Sequence, residues 1–192
     1  MSAILKDIPE VLDTNRLTMR SPRTGDGPEV NRAIADSFAE LKQWMEWARE
    51  MPTVEESEVW VRSAQVSYLN REALPLLLFD KTSGDLIGAS GFINPHWQVP
   101  RIEIGYWCRT QWSGRGYITE AVSELTRFAF EDLLMARVEI RMDDLNERSW
   151  RVAERLGYRL EGTLMADALN NAGALRNTRV YAASSLAGLR LS

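Results

Sequence analysis

Between Gly116 and Leu133 the apolar residues Ile118, Ala121, Val122, Leu125, Phe128, Ala129 and Leu133 form one stripe at helical spacing. That stripe predicts a helix of about five turns. The segments on either side follow a different period. RIEIGYWCR (101–109) and RVEIRM (137–142) alternate every second residue and read as strands. In the first, Ile102, Ile104 and Tyr106 share one face, and Glu103, Gly105 and Trp107 share the other. The order strand, turn, helix, strand predicts two parallel neighbours joined by a right-handed crossover.

The rest of the chain is punctuated in the same way. RLTMR (16–20) suits a first strand. Pro28 stands where a helix's first turn tolerates it, ahead of Val30, Ile34, Phe38, Leu41 and Met45 at helical spacing. Thr53 with Glu56 is a capping-box pattern opening a helix through about Arg71. LPLLLFD and DLIGASGFI are apolar runs separated by KTSG, a hairpin signature. Asn146 can cap a short helix that stops at Gly157. YRLEGTL and ALRNTRVYAASS close the chain as two strands, with ADALNNAGALRNT read as a long connection bordering the acceptor side. No repeat, low-complexity tract or linker interrupts residues 1–192, which predicts one α/β domain.

Composition narrows the classes of function. The chain has 192 residues, 45% hydrophobic and 26% charged, enough for one domain with a substantial core. A net charge of −4 does not suit general nucleic-acid binding, which needs a basic face. Cys108 and His96 are the single cysteine and histidine, so an internal disulfide, a cysteine zinc site and a histidine-rich metal site are all excluded. MSAILKDIPEVLDTNR carries charge throughout, unlike a signal peptide, and no apolar run approaches the ~20 residues that span a bilayer. The expected location is the cytoplasm.

The candidate chemistry starts in QWSGRGYITEA (111–121). A helix N-terminus leaves backbone N–H groups without intrahelical partners and carries a partial positive charge. Glycines let those groups turn around an anion. Gln111, Gly114 and Gly116 have this arrangement, without the lysine and Ser/Thr of a P-loop or the third glycine of a dinucleotide fingerprint. By itself the pattern fits a plain turn equally well.

Its surroundings are more specific. Gln111-x-x-Gly114-x-Gly116 resembles the Q/R-x-x-G-x-G/A coenzyme A pyrophosphate signature of the GNAT superfamily of N-acyltransferases. EIGYW (103–107), GYITEA (116–121), NERSWRVAERLGY (146–158) and LKQWMEWA (41–48) are similar to its Rim-type branch, the ribosomal-protein N-acetyltransferases. The resemblance runs in order from about residue 15 to 186. It implies a mixed, mostly antiparallel sheet in which the fourth and fifth strands are parallel and splayed, flanked by helices. It also implies acetyl-CoA as co-substrate, no metal, and transfer of acetyl to a primary amine by direct attack in a ternary complex. The acceptor would be a protein or peptide N-terminus or a small amine.

The same resemblance implies roles for particular residues. The pantetheine arm would lie on strand backbone at Trp107, Cys108 and Arg109. The pyrophosphate would sit on amides from Gln111 to Gly116, with Tyr117 and Thr119 in the adjoining turn. Arg115 is either a phosphate partner or a solvated arginine, and Asn146 a helix cap, a coenzyme contact, or both. Glu103 is the candidate base for the amine. The tyrosine many family members use as general acid falls at Ala153, which cannot donate a proton. Ser149 is the candidate in its place, with Tyr158 in reserve. Trp44, Trp47 and Trp60 are candidates for one wall of the acceptor site, with buried core as the alternative. The alternative function is a coenzyme-binding sensor or scaffold without catalysis. Neither a nucleic acid nor a membrane is implied as partner, and monomer and homodimer fit equally.

Overall fold

The computed structural model describes residues 3–191; Met1, Ser2 and Ser192, the extreme ends of the expected domain, lie outside the described residues. An eight-stranded sheet is built from β1 (Val11–Asp13), β2 (Leu17–Arg20), β3 (Leu74–Asp80), β4 (Leu86–His96), β5 (Arg101–Cys108), β6 (Arg137–Asp143), β7 (Arg159–Leu169) and β8 (Leu175–Ala183). Their spatial order is β1-β2-β3-β4-β5-β6-β8-β7. Every neighbouring pair is antiparallel except β5 and β6. This is the expected mixed sheet, with the expected fourth and fifth strands numbered one higher because Val11–Asp13 adds a short edge strand.

Helices cover both faces. α1 (Gly27–Ala35), α2 (Phe38–Trp44) and α3 (Val54–Asn70) enclose one core with Leu77, Leu86 and Trp107. α4 (Tyr117–Glu131) and α5 (Glu147–Arg155) enclose the other with Leu76, Leu78, Ile102 and Ile104. The unbroken apolar run of β3 follows from this, since successive side chains enter opposite cores. The α4 stripe is fully buried at Ala121, Val122, Leu125 and Ala129. The Thr53 capping box forms in both directions, and α5 begins on Asn146, whose side chain accepts from the Ser149 amide.

Two expectations change. The helical spacing from Val30 to Met45 does not give one helix: the chain breaks at Asp36 and Ser37. Both side chains are engaged by the end of β5 instead, Asp36 by Arg109 and Ser37 Oγ by the Thr110 amide at 2.9 Å. The presumed connection at 166–178 is mostly strand: β7 and β8 run to Leu169 and from Leu175, leaving only a short turn between them. A shift of register between Leu164 and Ala168, with Ala166 at φ +50°, breaks the apolar alternation that would have marked β7 as long.

The parallel pairing is brief. Arg101, Ile102 and Glu103 lie opposite Arg137, Val138 and Glu139, and there it stops. Beyond that rung β5 continues against β4 alone, to Cys108 opposite Gly88, while β6 continues against β8. The Arg109 amide donates to the Ile87 carbonyl. By the alternation of an antiparallel ladder, Trp107 then also turns its main chain to β4, and Tyr106 and Cys108 turn theirs to the gap. Opposite the fork, β4 carries an irregularity between Ile93 and His96, with Asn94 at φ +51°. Such a bulge bends and twists the strand that bears it.

Because α4 is held by its buried stripe, Leu125→Ala should cost about 2–5 kcal/mol of unfolding free energy, read from the midpoint of a urea titration.

Candidate active site

The glycine turn sits where the open edge of β5 ends. Gly114 has φ +77° and Gly116 φ +83°, a left-handed conformation that a Cβ disfavours. Nothing lies within 4 Å of where a Gly114 Cβ would stand, so backbone conformation and not packing demands glycine there. Amides upstream of the turn are used: Thr110 donates to Ser37 Oγ, Trp112 to the Arg109 carbonyl and Ser113 to that of Thr110. Among the described residues, the amides from Gly114 through Thr119 donate to no protein acceptor. Consecutive free N–H groups at the positive end of a helix form a site for an anion.

The turn is braced by rings and charge. Arg115 stacks over Trp112 at 4.9 Å, and Trp112 meets Tyr117 edge-on at 5.6 Å. Tyr117 donates from its hydroxyl to Asp80 at 2.7 Å. Arg16, not among the sequence candidates, stacks over Tyr117 at 4.3 Å and donates to the Arg115 carbonyl at 3.0 Å. Its Nε also meets Glu120 at 2.6 Å. Burial opposes the Glu120 charge, but hydrogen bonds from Thr14 and Arg16 outweigh it and hold this carboxyl below its usual range. Gln111 is exposed in the 3-10 turn before the glycines.

At the other end of the gap, Glu103 occupies the last parallel rung, half-buried, on the face that carries Trp107. Asn94 donates to its Oε2 at 3.1 Å. Burial pushes the Glu103 carboxyl up, Asn94 opposes this, and the neighbouring Glu139 adds to it. A carboxylate with raised proton affinity is the form that can take a proton near neutral pH.

Ser149 reaches the same gap from the opposite arm. Its Oγ donates to the Tyr106 hydroxyl at 3.2 Å, and that hydroxyl donates back to the Ser149 carbonyl at 2.9 Å. The first turn of α5 is thereby tied across the opening to β5. Ala153 is buried. The Tyr158 hydroxyl bonds Thr126 Oγ1 at 2.6 Å, which itself donates to the Val122 carbonyl, so it is held inside the core.

A model of the Acetyltransferase (GNAT) domain matches residues 16–159, a span that includes the fork, the glycine turn and α5. The chain belongs to the GNAT acetyltransferase family. The putative ribosomal N-acetyltransferase YdaF of Bacillus subtilis is 30% identical over 149 residues, covering 76% of this chain and 79% of that protein. Two of the solved structures that share the fold carry coenzyme ligands. One is the ribosomal L7/L12 alpha-N-protein acetyltransferase RimL in complex with coenzyme A, with TM-score 0.86 and 21% identity over 93% of this chain and 99% of that one. The other is the microcin C7 self-immunity acetyltransferase MccE in complex with acetyl-CoA and AMP, with TM-score 0.85 and 22% identity over 93% and 98%.

In this GNAT domain the helices over the Glu103 face are fastened to both arms of the gap. Arg109 pairs with Asp36 and Thr110 Oγ1 with Glu40, while Arg148 at the start of α5 reaches the same Glu40 at 3.4 Å. The tip of the β7–β8 hairpin docks on the end of α2, where Asn171 donates to the Lys42 and Met45 carbonyls at 2.8 Å each. Trp47 packs edge-on against Trp107 at 6.2 Å and stays half exposed; Trp60 is exposed on α3. Cys108 is half-buried with its thiol pushed up to about 11 by burial, which keeps it neutral. His96 ends β4, its Nδ1 accepting from the Val99 amide at 2.9 Å.

A carboxyl whose proton affinity is raised by folding favours the fold below its unfolded titration range and weakens it as pH rises through the folded value. Glu103→Gln should therefore be more stable than the parent at neutral pH, with the gap closing below about pH 4, where the unfolded carboxyl is protonated. Urea midpoints at both pH values measure this.

Proposed function

We propose that this GNAT protein transfers acetyl from acetyl-CoA to a primary amine, by direct attack in a ternary complex. The observation that carries the reading is the run of unpartnered amides from Gly114 to Thr119, at the end of a strand edge left open by β6. A diphosphate on those amides places an extended pantetheine along the main chain of Cys108 and Tyr106, toward Glu103. Trp107 and Arg109 turn their main chain to β4 and would contribute through position alone; Gln111, Arg115, Tyr117 and Thr119 border the anion. Asn146 serves as the α5 cap and sets Ser149 at the gap.

Three events complete the transfer. Glu103, directly or through water, takes the proton that an ammonium must lose before its nitrogen can attack. The new C–N bond forms at the thioester carbonyl and the C–S bond breaks. The departing thiolate receives a proton from the Ser149 hydroxyl, whose hydrogen turns from Tyr106 to the sulfur, and the second proton that the nitrogen sheds on becoming an amide restores the serine. The products are the N-acetyl amine and free coenzyme A. Tyr158 holds its hydroxyl inside the core against Thr126, away from the gap that Ser149 reaches, which favours Ser149 for this role.

We place the chain with the Rim-type N-acetyltransferases and take the α-amine of a protein or peptide as acceptor, with a small amine as the nearest alternative. What supports this is the order of motifs from LKQWMEWA to NERSWRVAERLGY together with the similarity to the putative ribosomal N-acetyltransferase YdaF. A soluble enzyme of the cytoplasm fits the finding that no helix among the described residues is long and apolar enough to cross a membrane.

An acceptor screen with acetyl-CoA, read by mass shift on the amine, tests the reaction; coenzyme binding without any acetylated product would leave a binding module. Gly114→Val should weaken coenzyme A binding about tenfold or more by calorimetry, since a β-branched residue resists φ +77° and would turn the free amides out of their present direction. Glu103→Gln should lower kcat by about 10²-fold or more, and kcat/KM of the parent should fall on the acid side at a pH above the ordinary carboxylate range. Ser149→Ala should lower kcat by about 10²-fold at nearly unchanged coenzyme affinity. A large loss of affinity at normal turnover would move Ser149 from chemistry to binding.

A further inference from the structure

We infer that Glu139 is a positioning residue that adds to the proton affinity of Glu103 across the last parallel rung, and that Arg137 limits how strongly it does so. The inference rests on Glu103 being the base, as proposed above. Glu103 and Glu139 are register partners where β5 and β6 part, and both turn to the face opposite Ile102, Val138 and Ile140. No strand separates them, and the Glu139 side chain is only 14% exposed. A carboxylate beside the half-buried Glu103 disfavours charge on it.

Glu139 is not left alone with Glu103. Arg137 donates to its Oε2 through Nε at 3.0 Å and Nη2 at 2.9 Å, and grips Glu161 of β7 through Nη1 and Nη2 at 2.8 and 2.7 Å. One guanidinium therefore divides its charge between two carboxylates, and Glu139 receives only part of the compensation. The other charged side chain acting on Glu103 from β6 is Arg141, which is turned to Asp167 at 3.3 Å. β4 contributes the neutral amide of Asn94. Glu139 is thus the neighbour that opposes charge on Glu103, and Arg137 the screw that adjusts it.

The test needs no acceptor at first. In protein labelled with 13C at the glutamate carboxyls, the Glu103 signal, identified by its loss in Glu103→Gln, is titrated in the full chain. Its midpoint should move down in Glu139→Gln and up in Arg137→Gln, the two variants differing by about half a pH unit or more. Arg137→Lys, which keeps the charge, should return most of the upward shift. A purely structural role would not produce shifts of opposite sign. An unchanged Glu103 midpoint in Glu139→Gln, an isosteric change that keeps the Arg137 contact possible, overturns the inference even if Arg137→Gln fails to fold. With an acceptor from the amine screen, the acid limb of kcat/KM should follow the same shifts. Should the carboxyl midpoint move while the acid limb stays, the coupling stands as electrostatics, and the assignment of Glu103 as base falls, taking the catalytic part of this inference with it.

Discussion

A sheet normally leaves no main-chain donor or acceptor unmatched in its interior, because a buried N–H or C=O without a partner costs about as much as a lost hydrogen bond. Here β5 and β6 break that rule after a single short stretch of pairing. Past Glu103 and Glu139 the strands separate, and one edge of β5 stays open in the middle of the sheet. Contacts flank the opening on both sides: β4 carries the Asn94 irregularity opposite the fork, while α5 stands against β5 through Ser149 and Tyr106. A strand edge held open in this way is a template for an extended ligand that brings its own amides and carbonyls.

The remaining parts of the site are arranged along that edge. At its far end α4 presents unpartnered amides, and at the fork sits a carboxyl with elevated proton affinity. These ends have opposite electrostatic demands. In the reaction proposed above, one would attract an anion and the other would resist ionisation enough to accept a proton. The overall charge of −4 conceals the separation, since Arg16 and Arg115 gather at the helix terminus while Glu103 and Glu139 meet at the fork. Arg16 also neutralises Glu120, the one carboxylate in the first turn of α4, whose negative charge would otherwise lie close to the anion site.

The helices on the Glu103 face belong to the same mechanical unit. Asp36, Ser37 and Glu40 are gripped by Arg109, Thr110 and Arg148, so the α1–α2 corner touches both arms of the gap. Asn171 draws the β7–β8 tip onto α2. On the reading proposed above, this corner would join the acceptor side to the strands that hold the coenzyme.

Elements whose cause lies within a few residues of their own position were legible in the sequence. The α4 stripe, the Thr53–Glu56 box, the Asn146 cap, the β3–β4 hairpin and the glycine turn each follow from spacing and backbone preference. The motifs from Glu103 to Tyr158 carried the family as well. What only the tertiary structure decided depends on partners far along the chain. Helical spacing from Val30 to Met45 cannot announce a break made by Arg109 and Thr110, and no local pattern marks Arg16 as the brace of a loop a hundred residues later. A left-handed Asn94 aimed at Glu103, and a serine hydroxyl facing a tyrosine across an open strand edge, are equally invisible to periodicity. Short-range chemistry chose the elements; where β5 and β6 stop pairing was settled by the packing of everything around them, because a strand's sequence prescribes which way its side chains point but not which neighbour its main chain will lack.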